Sequence, residues 1–178
     1  MRVRPLVMLA VIAAAAASRL LPHPPNFAPV AAMALFGGAH FADRRLAFVL
    51  PLAVMFVSDL LLGWHSLIPV VYGTFVLITI VGLQLRKRRT VGSVAVAAVS
   101  SSVLFFVVTN FAVWAQGSLY PKTFAGLMAA YVAAIPFFRN TLAGDLSYTT
   151  VLFGGFALLV WIFPALRESK ASIRAVSD

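Results

Sequence analysis

In the stretch Val57-Ser58-Asp59-Leu60-Leu61-Leu62-Gly63-Trp64-His65-Ser66, a carboxylate sits inside a long apolar run, and an indole and an imidazole follow it within two turns. A charge at the centre of a hydrocarbon layer costs about 2.5–3.5 kcal/mol, so a carboxylate in such a run is a functional-site candidate by default. Asp145, in the last apolar run, is a second candidate. His65 lies six residues beyond Asp59, which lets both border one cavity. A neutral imidazole there is a good ligand for a borderline transition metal. Asp59 either fixes that imidazole's tautomer through its second nitrogen or accepts hydrogen bonds from a ligand.

The elements that hold these residues follow from composition. The chain has 178 residues, of which 62% are hydrophobic and 11% charged, and a mean hydropathy of +0.98. A soluble domain of this size cannot hide that much apolar surface. The expectation is an all-α polytopic membrane protein, residues 1–178 forming one transmembrane domain. With no cysteine there is no disulfide framework, thiolate metal site or cysteine nucleophile. The net charge of +9 is scattered over short loops, which argues against nucleic acid and for the lipid bilayer as partner. Arg2 and Arg4 before the run ending Ala15-Ala16-Ala17 resemble a cleavable signal; the alternative, a retained first span, is preferred.

Apolar runs fall at 5–21, 28–42, 46–63, 67–85, 91–115, 123–138 and 141–166. Most match the roughly 17–25 residues that a span needs; the second is short. Charge separates six spans from seven. If 123–138 does not cross and the N-terminus is cytoplasmic, only Arg19, Lys122 and Arg139 of the 14 basic residues lie outside. The positive-inside rule thus favours six transmembrane helices, both termini cytoplasmic, in a multi-pass protein of a bacterial plasma (inner) membrane. Segment 123–138 then reads as a short outer interfacial or re-entrant helix, capped by Thr123 and ending near Pro136 to Asn140. It is either a lid over an outer pocket or a packing helix.

In that topology the polar residues gather in the outer half: His23, Asn26, Asp59, Trp64, His65, Tyr72, Asn110, Arg139 and Asp145. A mouth of mixed donors, acceptors and aromatics is what a small-molecule site needs. Each has a plainer reading. Trp64, Trp114 and Tyr120 suit an interfacial aromatic belt; His23 suits an exposed loop; Asp59 suits a cap on a neighbouring helix or a structural pair with Arg139; Asp145 suits the same, and Gly144 beside it suits close helix packing. Arg86-Lys87-Arg88-Arg89 reads as a topology signal, with anionic-lipid contact as the lesser alternative. Asn26-Phe27-Ala28 and Asn110-Phe111-Ala112 match by chance, since both lie outside. On the first helix, Ala10 with Ala14 and Ala13 with Ala17 are four apart, a spacing that lets a second helix approach closely. They serve packing within the bundle or docking of a membrane partner.

Taken together, the size, six spans, outward polar site, Ala-rich first helix and the stretches Arg19–Phe27, Ser58–Gly63 and Ile135–Leu142 resemble a known group. It is the substrate-binding S components of energy-coupling-factor vitamin transporters, closest to the solitary cobalamin-type members and related small bacterial membrane proteins. The likeness covers nearly the whole chain and is weakly specific for the vitamin. It implies a membrane subunit that binds and translocates a vitamin, cobalamin first among them, with no intrinsic cofactor. It also implies an energy-coupling transmembrane subunit and ATPases as partners. It matches His23, Asp59, Tyr72 and Arg139 to positions around the ligand. A cysteine that could ligate cobalt is missing, which leaves His65, His23 or no protein ligand. No G-x-x-x-x-G-K motif occurs, so the chain cannot hydrolyse ATP itself.

Two other classes compete with this non-enzymatic reading. One is an intramembrane hydrolase using Asp59 and Asp145 as an acid–base pair. Leu142-Ala143-Gly144-Asp145 only faintly resembles the Gly-x-Gly-Asp of intramembrane aspartyl proteases, because Leu142 occupies the first glycine position. The other is a passive channel or structural membrane protein.

Overall fold

The computed structural model describes residues 3–64 and 66–167, and every regular element among them is helical. The helices are α1 (Val3–Ser18), α2 (Val30–His40), α3 (Arg44–Leu62), α4 (Ile68–Gln84), α5 (Val91–Gln116), α6 (Phe124–Thr149) and α7 (Gly155–Ile162). Among the described residues, three stretches are long and apolar enough to cross a membrane: Ile68–Lys87, Val91–Gln116 and Phe124–Ile162.

The bundle is built around α2. Every residue from Val30 to Ala39 is buried, as expected of a helix that is apolar all round. At 11 residues it rises only about 16 Å, too little to cross a hydrocarbon core alone. It is therefore a core helix rather than a membrane-length one. Two glycines seat it against α4. A Cβ on Gly38 would lie 2.6 Å from the Thr79 carbonyl oxygen, and one on Gly82 would lie 2.6 Å from that of Leu35. Those contacts are with backbone, which cannot rotate away. Helix α1 joins through one stripe, Met8, Ile12 and Ala15. Its Ala10, Ala13, Ala14 and Ala17 are exposed. The small-residue pairs thus serve no packing within the described residues.

Local signals set the helix ends. The Asp43 side chain accepts from the Arg45 amide at 2.8 Å to start α3. Thr90 and Ser93 form a reciprocal capping box at α5. Gly63, at φ 106°, ends α3 in a conformation that L side chains resist. Thr123 caps α6 as expected, accepting from the Gly126 amide at 3.2 Å.

The expected helix end at Pro136–Asn140 is overturned. Helix α6 runs through Pro136 and continues by a π-helical turn, Thr150–Gly154, into α7. Phe124 to Ile162 is one unbroken rod of 39 residues, so 123–138 is not a separate lid. Proline within an apolar helix costs one backbone bond, which neighbouring groups can absorb. Asn140 is no break either: its side-chain amide donates to the Pro25 carbonyl at 3.0 Å. The Asn-Phe-Ala match has no structural counterpart, since Asn26 sits in a turn at φ 65° and Asn110 inside α5.

The charges segregate along the bundle. At one end Arg4, His40, Arg89 and Arg167 surround a cleft of about 700 Å³ floored by Phe153, Phe156 and Val160. Arg4 donates to the Leu166 carbonyl at 2.7 Å and lies 5.2 Å from the Phe156 ring centroid. Arg86, nearby, caps the end of α2 through the carbonyls of Gly38, at 2.7 Å, and Phe41. The opposite end carries Arg19 and Asp59.

Candidate functional site

A cavity of about 270 Å³ opens at the Arg19 end. The turn after α1 supplies Arg19, the α1–α2 loop Asn26 and Ala28, α3 Met55 and Asp59, α4 Val71 and Phe75, α5 Phe105, and α6 Thr141 and Asp145. Helix α2 adds Val30 and Ala31, so five helices and the α1–α2 connection meet at a small polar spot inside an apolar bundle.

Asp59 is 4% exposed, and its two oxygens have different partners. Tyr72 donates its phenolic hydrogen to Oδ2 at 2.9 Å. The Arg19 guanidinium stands 3.8 Å from Oδ1. Arg19 also donates to the Ser58 hydroxyl and approaches the Met55 sulfur at 3.2 Å. Ser58 in turn donates to the carbonyls one turn back, Val54 at 2.9 Å and Met55 at 2.8 Å. Burial pulls the Arg19 guanidinium below its ordinary value, while the Asp59 carboxylate and the Tyr72 phenol beside it act the other way. A buried charge left without a partner would cost several kcal/mol, so this pair holds itself in place.

Asp145 reaches the same cavity from α6 and is 2% exposed. Its Oδ2 accepts from the Ser102 hydroxyl of α5 at 2.6 Å. Gly144 brings this part of α6 onto the α1–α2 loop: a Cβ there would lie 3.1 Å from the Phe27 Cα. The packing role expected of Gly144 is real, and it places Asp145 rather than replacing it. One turn away, Tyr148 and Ser18 share a 2.9 Å hydrogen bond that fixes the end of α1 to α6.

The sequence-derived candidates divide. Asn26, Asp59 and Asp145 line the cavity, and Tyr72 joins them through Asp59. His23 does not; it is exposed, with Nδ1 3.1 Å from the Pro24 carbonyl oxygen. Trp64 is 62% exposed and packs edge-on against Phe56, as an interfacial aromatic would. The Asn110 amide turns back onto its own helix, donating to the Phe106 carbonyl at 2.8 Å. Arg139 is exposed and is not the cation that meets Asp59; Arg19 is. His65 lies outside the described residues. Among those residues no group of three or more histidines, aspartates or glutamates could hold a metal ion.

Sequence reasoning missed Arg19, Thr141 and Ser102. Arg19 had a signal: it is one of three basic residues on the wrong side of the charge rule, and a buried carboxylate nearby requires a cation. Thr141 and Ser102 had none, because hydroxyls are common in apolar helices, where they bond to the preceding turn.

The chemistry the cavity offers is recognition. It holds one cation, two carboxyl groups, an amide and a hydroxyl against apolar walls, a set that suits a small molecule rich in N–H groups.

Residues 1–166 match a family model. The chain belongs to DUF6580, a family of unknown function. No curated protein and no solved structure matches it. Membership therefore gives this DUF6580 chain company without an activity, and the cavity carries the functional argument.

Proposed function

We propose that this protein is the solute-binding membrane subunit of a nutrient uptake system, with a vitamin-sized molecule held in the Arg19–Asp59–Asp145 cavity. The observation that carries the reading is that one cavity: three ionisable groups, Arg19 from the turn after α1, Asp59 from α3 and Asp145 from α6, converge at the bundle end opposite the basic cluster. Six crossings with both termini cytoplasmic, in a bacterial inner membrane, put the basic end inside and the cavity outside. Two supports for energisation by separate subunits are the missing phosphate-binding motif and the exposed alanine face of α1, where a coupling helix has room to dock.

The cavity's size bears on the ligand. Cobalamin is the vitamin the resemblance points to, yet a corrin is far larger than about 270 Å³. A smaller nitrogenous vitamin matches that volume better. The test is mass and absorbance spectrometry of whatever copurifies in mild detergent, followed by calorimetric titration of cobalamin and smaller vitamins. Asp59→Ala is expected to weaken binding by about 1–3 kcal/mol, the cost of unpairing a buried polar partner. A spectral shift of bound cobalamin that His65→Ala leaves unchanged would remove cobalt ligation alone. No binding of any vitamin by folded protein would remove the whole reading. Reporter fusions at Gly117 and at Ser172, which lies outside the described residues, test the orientation: external and cytoplasmic signals are expected.

A hydrolase reading keeps one observation in its favour, that Asp59 and Asp145 border the same cavity. Each is already committed, one to Tyr72 and Arg19 and the other to Ser102. Turnover of a lipid or peptide lost in both Asp59→Asn and Asp145→Asn would reinstate it.

A further inference from the structure

The basic run Arg86-Lys87-Arg88-Arg89 divides in the structure. Arg86 caps α2 through the Gly38 and Phe41 carbonyls. Of the four, Arg89 alone lines the large cleft, and Arg4 and Arg167 join it there from the two ends of the described chain. A topology signal needs only a number of basic residues on one side of a membrane. It does not need three guanidinium groups, so distant in sequence, around one opening.

Local structure sets each of the three. Arg4 sits in the first turn of α1, donates to the Leu166 carbonyl at 2.7 Å and lies over the Phe156 ring. Arg89 directly precedes the Thr90–Ser93 capping box, and the Ser93 hydroxyl also donates to the Arg88 carbonyl at 2.7 Å. Those bonds fix the chain where it enters α5. Arg167 follows a short 3-10 turn, Pro164–Leu166, anchored by the buried Leu166. Arg89 and Arg167 are exposed and Arg4 is half-buried, so the three form the rim of the cleft.

Below the rim the cleft changes character. Phe153, Phe156 and Val160 floor it, exposed Ala95 and Ala157 border it, and its described lining holds no acidic residue. From Leu146 to Val160 it follows the long rod for about 20 Å at 1.5 Å per residue. Its walls belong to two stretches apolar enough to cross a membrane, Val91–Gln116 and Phe124–Ile162. Gly154 leaves room along the floor, since a Cβ there would meet nothing within 4 Å. A soluble anion would use the rim only, whereas an anionic amphiphile uses rim and floor together. Guanidinium groups hold phosphate oxygens through paired N–H donors, and basic pockets between membrane helices suit anionic lipid headgroups.

We propose that the cleft binds an anionic glycerophospholipid, its phosphate held by Arg4, Arg89 and Arg167 and an acyl chain laid along Phe153, Phe156 and Val160. The lipid then ties the start of α1, the start of α5 and the end of α7 into one unit. The site lies at the end of the bundle away from Arg19 and Asp59 and involves no solute, so it stands or falls separately from the uptake reading.

The test is native mass spectrometry of the full chain in mild detergent, titrated with phosphatidylglycerol, with phosphatidylcholine of the same acyl chains and with glycerol 3-phosphate. One phosphatidylglycerol is expected to bind per chain, at least about tenfold tighter than phosphatidylcholine. A basic residue beside anionic lipid contributes about fivefold, so Arg89→Gln with Arg167→Gln should weaken binding by about twenty-five-fold. Lys87→Gln with Arg88→Gln, outside the cleft, should change it by no more than about twofold, as screened surface charges do. Gly154→Leu occupies the floor and should weaken binding by about tenfold, the scale of a methylene misfitted in an apolar site, with melting unchanged. Equal affinity for the two lipids overturns the proposal. So does an equal loss in the Lys87, Arg88 pair, which would make the attraction a diffuse surface charge. Glycerol 3-phosphate bound as tightly as the lipid would put a free phosphate in its place and is equally fatal. If Gly154→Leu fails to fold, Ala157→Trp on the same wall decides, and an unchanged affinity for phosphatidylglycerol there rejects the acyl-chain groove.

Discussion

At the cleft end of the bundle, Arg86 donates to two carbonyls at the end of α2 and stands beside glycines through which α2 and α4 touch backbone to backbone. At the cavity end, Arg19 meets a hydroxyl and a carboxylate, and the helices stand apart by the width of a small molecule. The residue type is the same and the work differs. Arg86 completes backbone groups that a helix terminus leaves open. Arg19 balances a buried charge whose other purpose is recognition. The comparison teaches that in an apolar bundle an arginine's partner, and not its depth, tells structure from site.

The largest effect is expected where backbone meets backbone. Gly38→Leu or Gly82→Leu forces α2 and α4 apart and should abolish folded yield, read by detergent-solubilised size-exclusion profiles. Alanine at either position should cost about 1–3 kcal/mol of stability, the range for overpacking. Equal yields for wild type and both leucine variants would mean the two ends are equally loose, which breaks the comparison.

The Arg19–Asp59 pair comes next. Asp59→Asn strands a guanidinium and should destabilise by about 3–5 kcal/mol, as for one broken half of a buried pair. Adding Arg19→Met should recover most of that stability while leaving ligand binding weak. Thermal unfolding separates the two readouts. Recovery of binding together with stability would make the pair structural, like Arg86.

The smallest effects sharpen the contrast. Arg86→Met unpairs two carbonyls and should cost about 1–3 kcal/mol of stability with ligand affinity unchanged. Tyr72→Phe removes one hydrogen bond to Asp59 and should cost about 0.5–1.5 kcal/mol, seen more in binding than in melting. The reverse pattern would exchange the roles assigned to the two ends.

Part of this arrangement was legible in the residues alone. Asp59 and Asp145 stood out because charge is expensive in apolar helices, and Asn26 and Tyr72 because the six-span topology gathers the polar residues in the outer half. Arg139 was misjudged because proximity along an outer rim is not contact; the chain brings Arg19, forty residues before Asp59, to the carboxylate instead. Helix α2 looked like a weak span because its shortness and its complete burial have the same sequence signature, an apolar run without a polar face. The break expected near Pro136 rested on a rule from aqueous helices, and α6 obeys the membrane version.

The rod from Phe124 to Ile162 is about 58 Å long at 1.5 Å per residue, against a hydrocarbon layer of about 30 Å. It must tilt, protrude or thicken the lipid around it. Residues near Phe124 and Met128, exposed and apolar, then trade water for lipid as the bilayer thickens. Acyl-chain length becomes a mechanical input to the helix that carries Asp145: the same protein in a thin and in a thick membrane would hold that helix at two different inclinations.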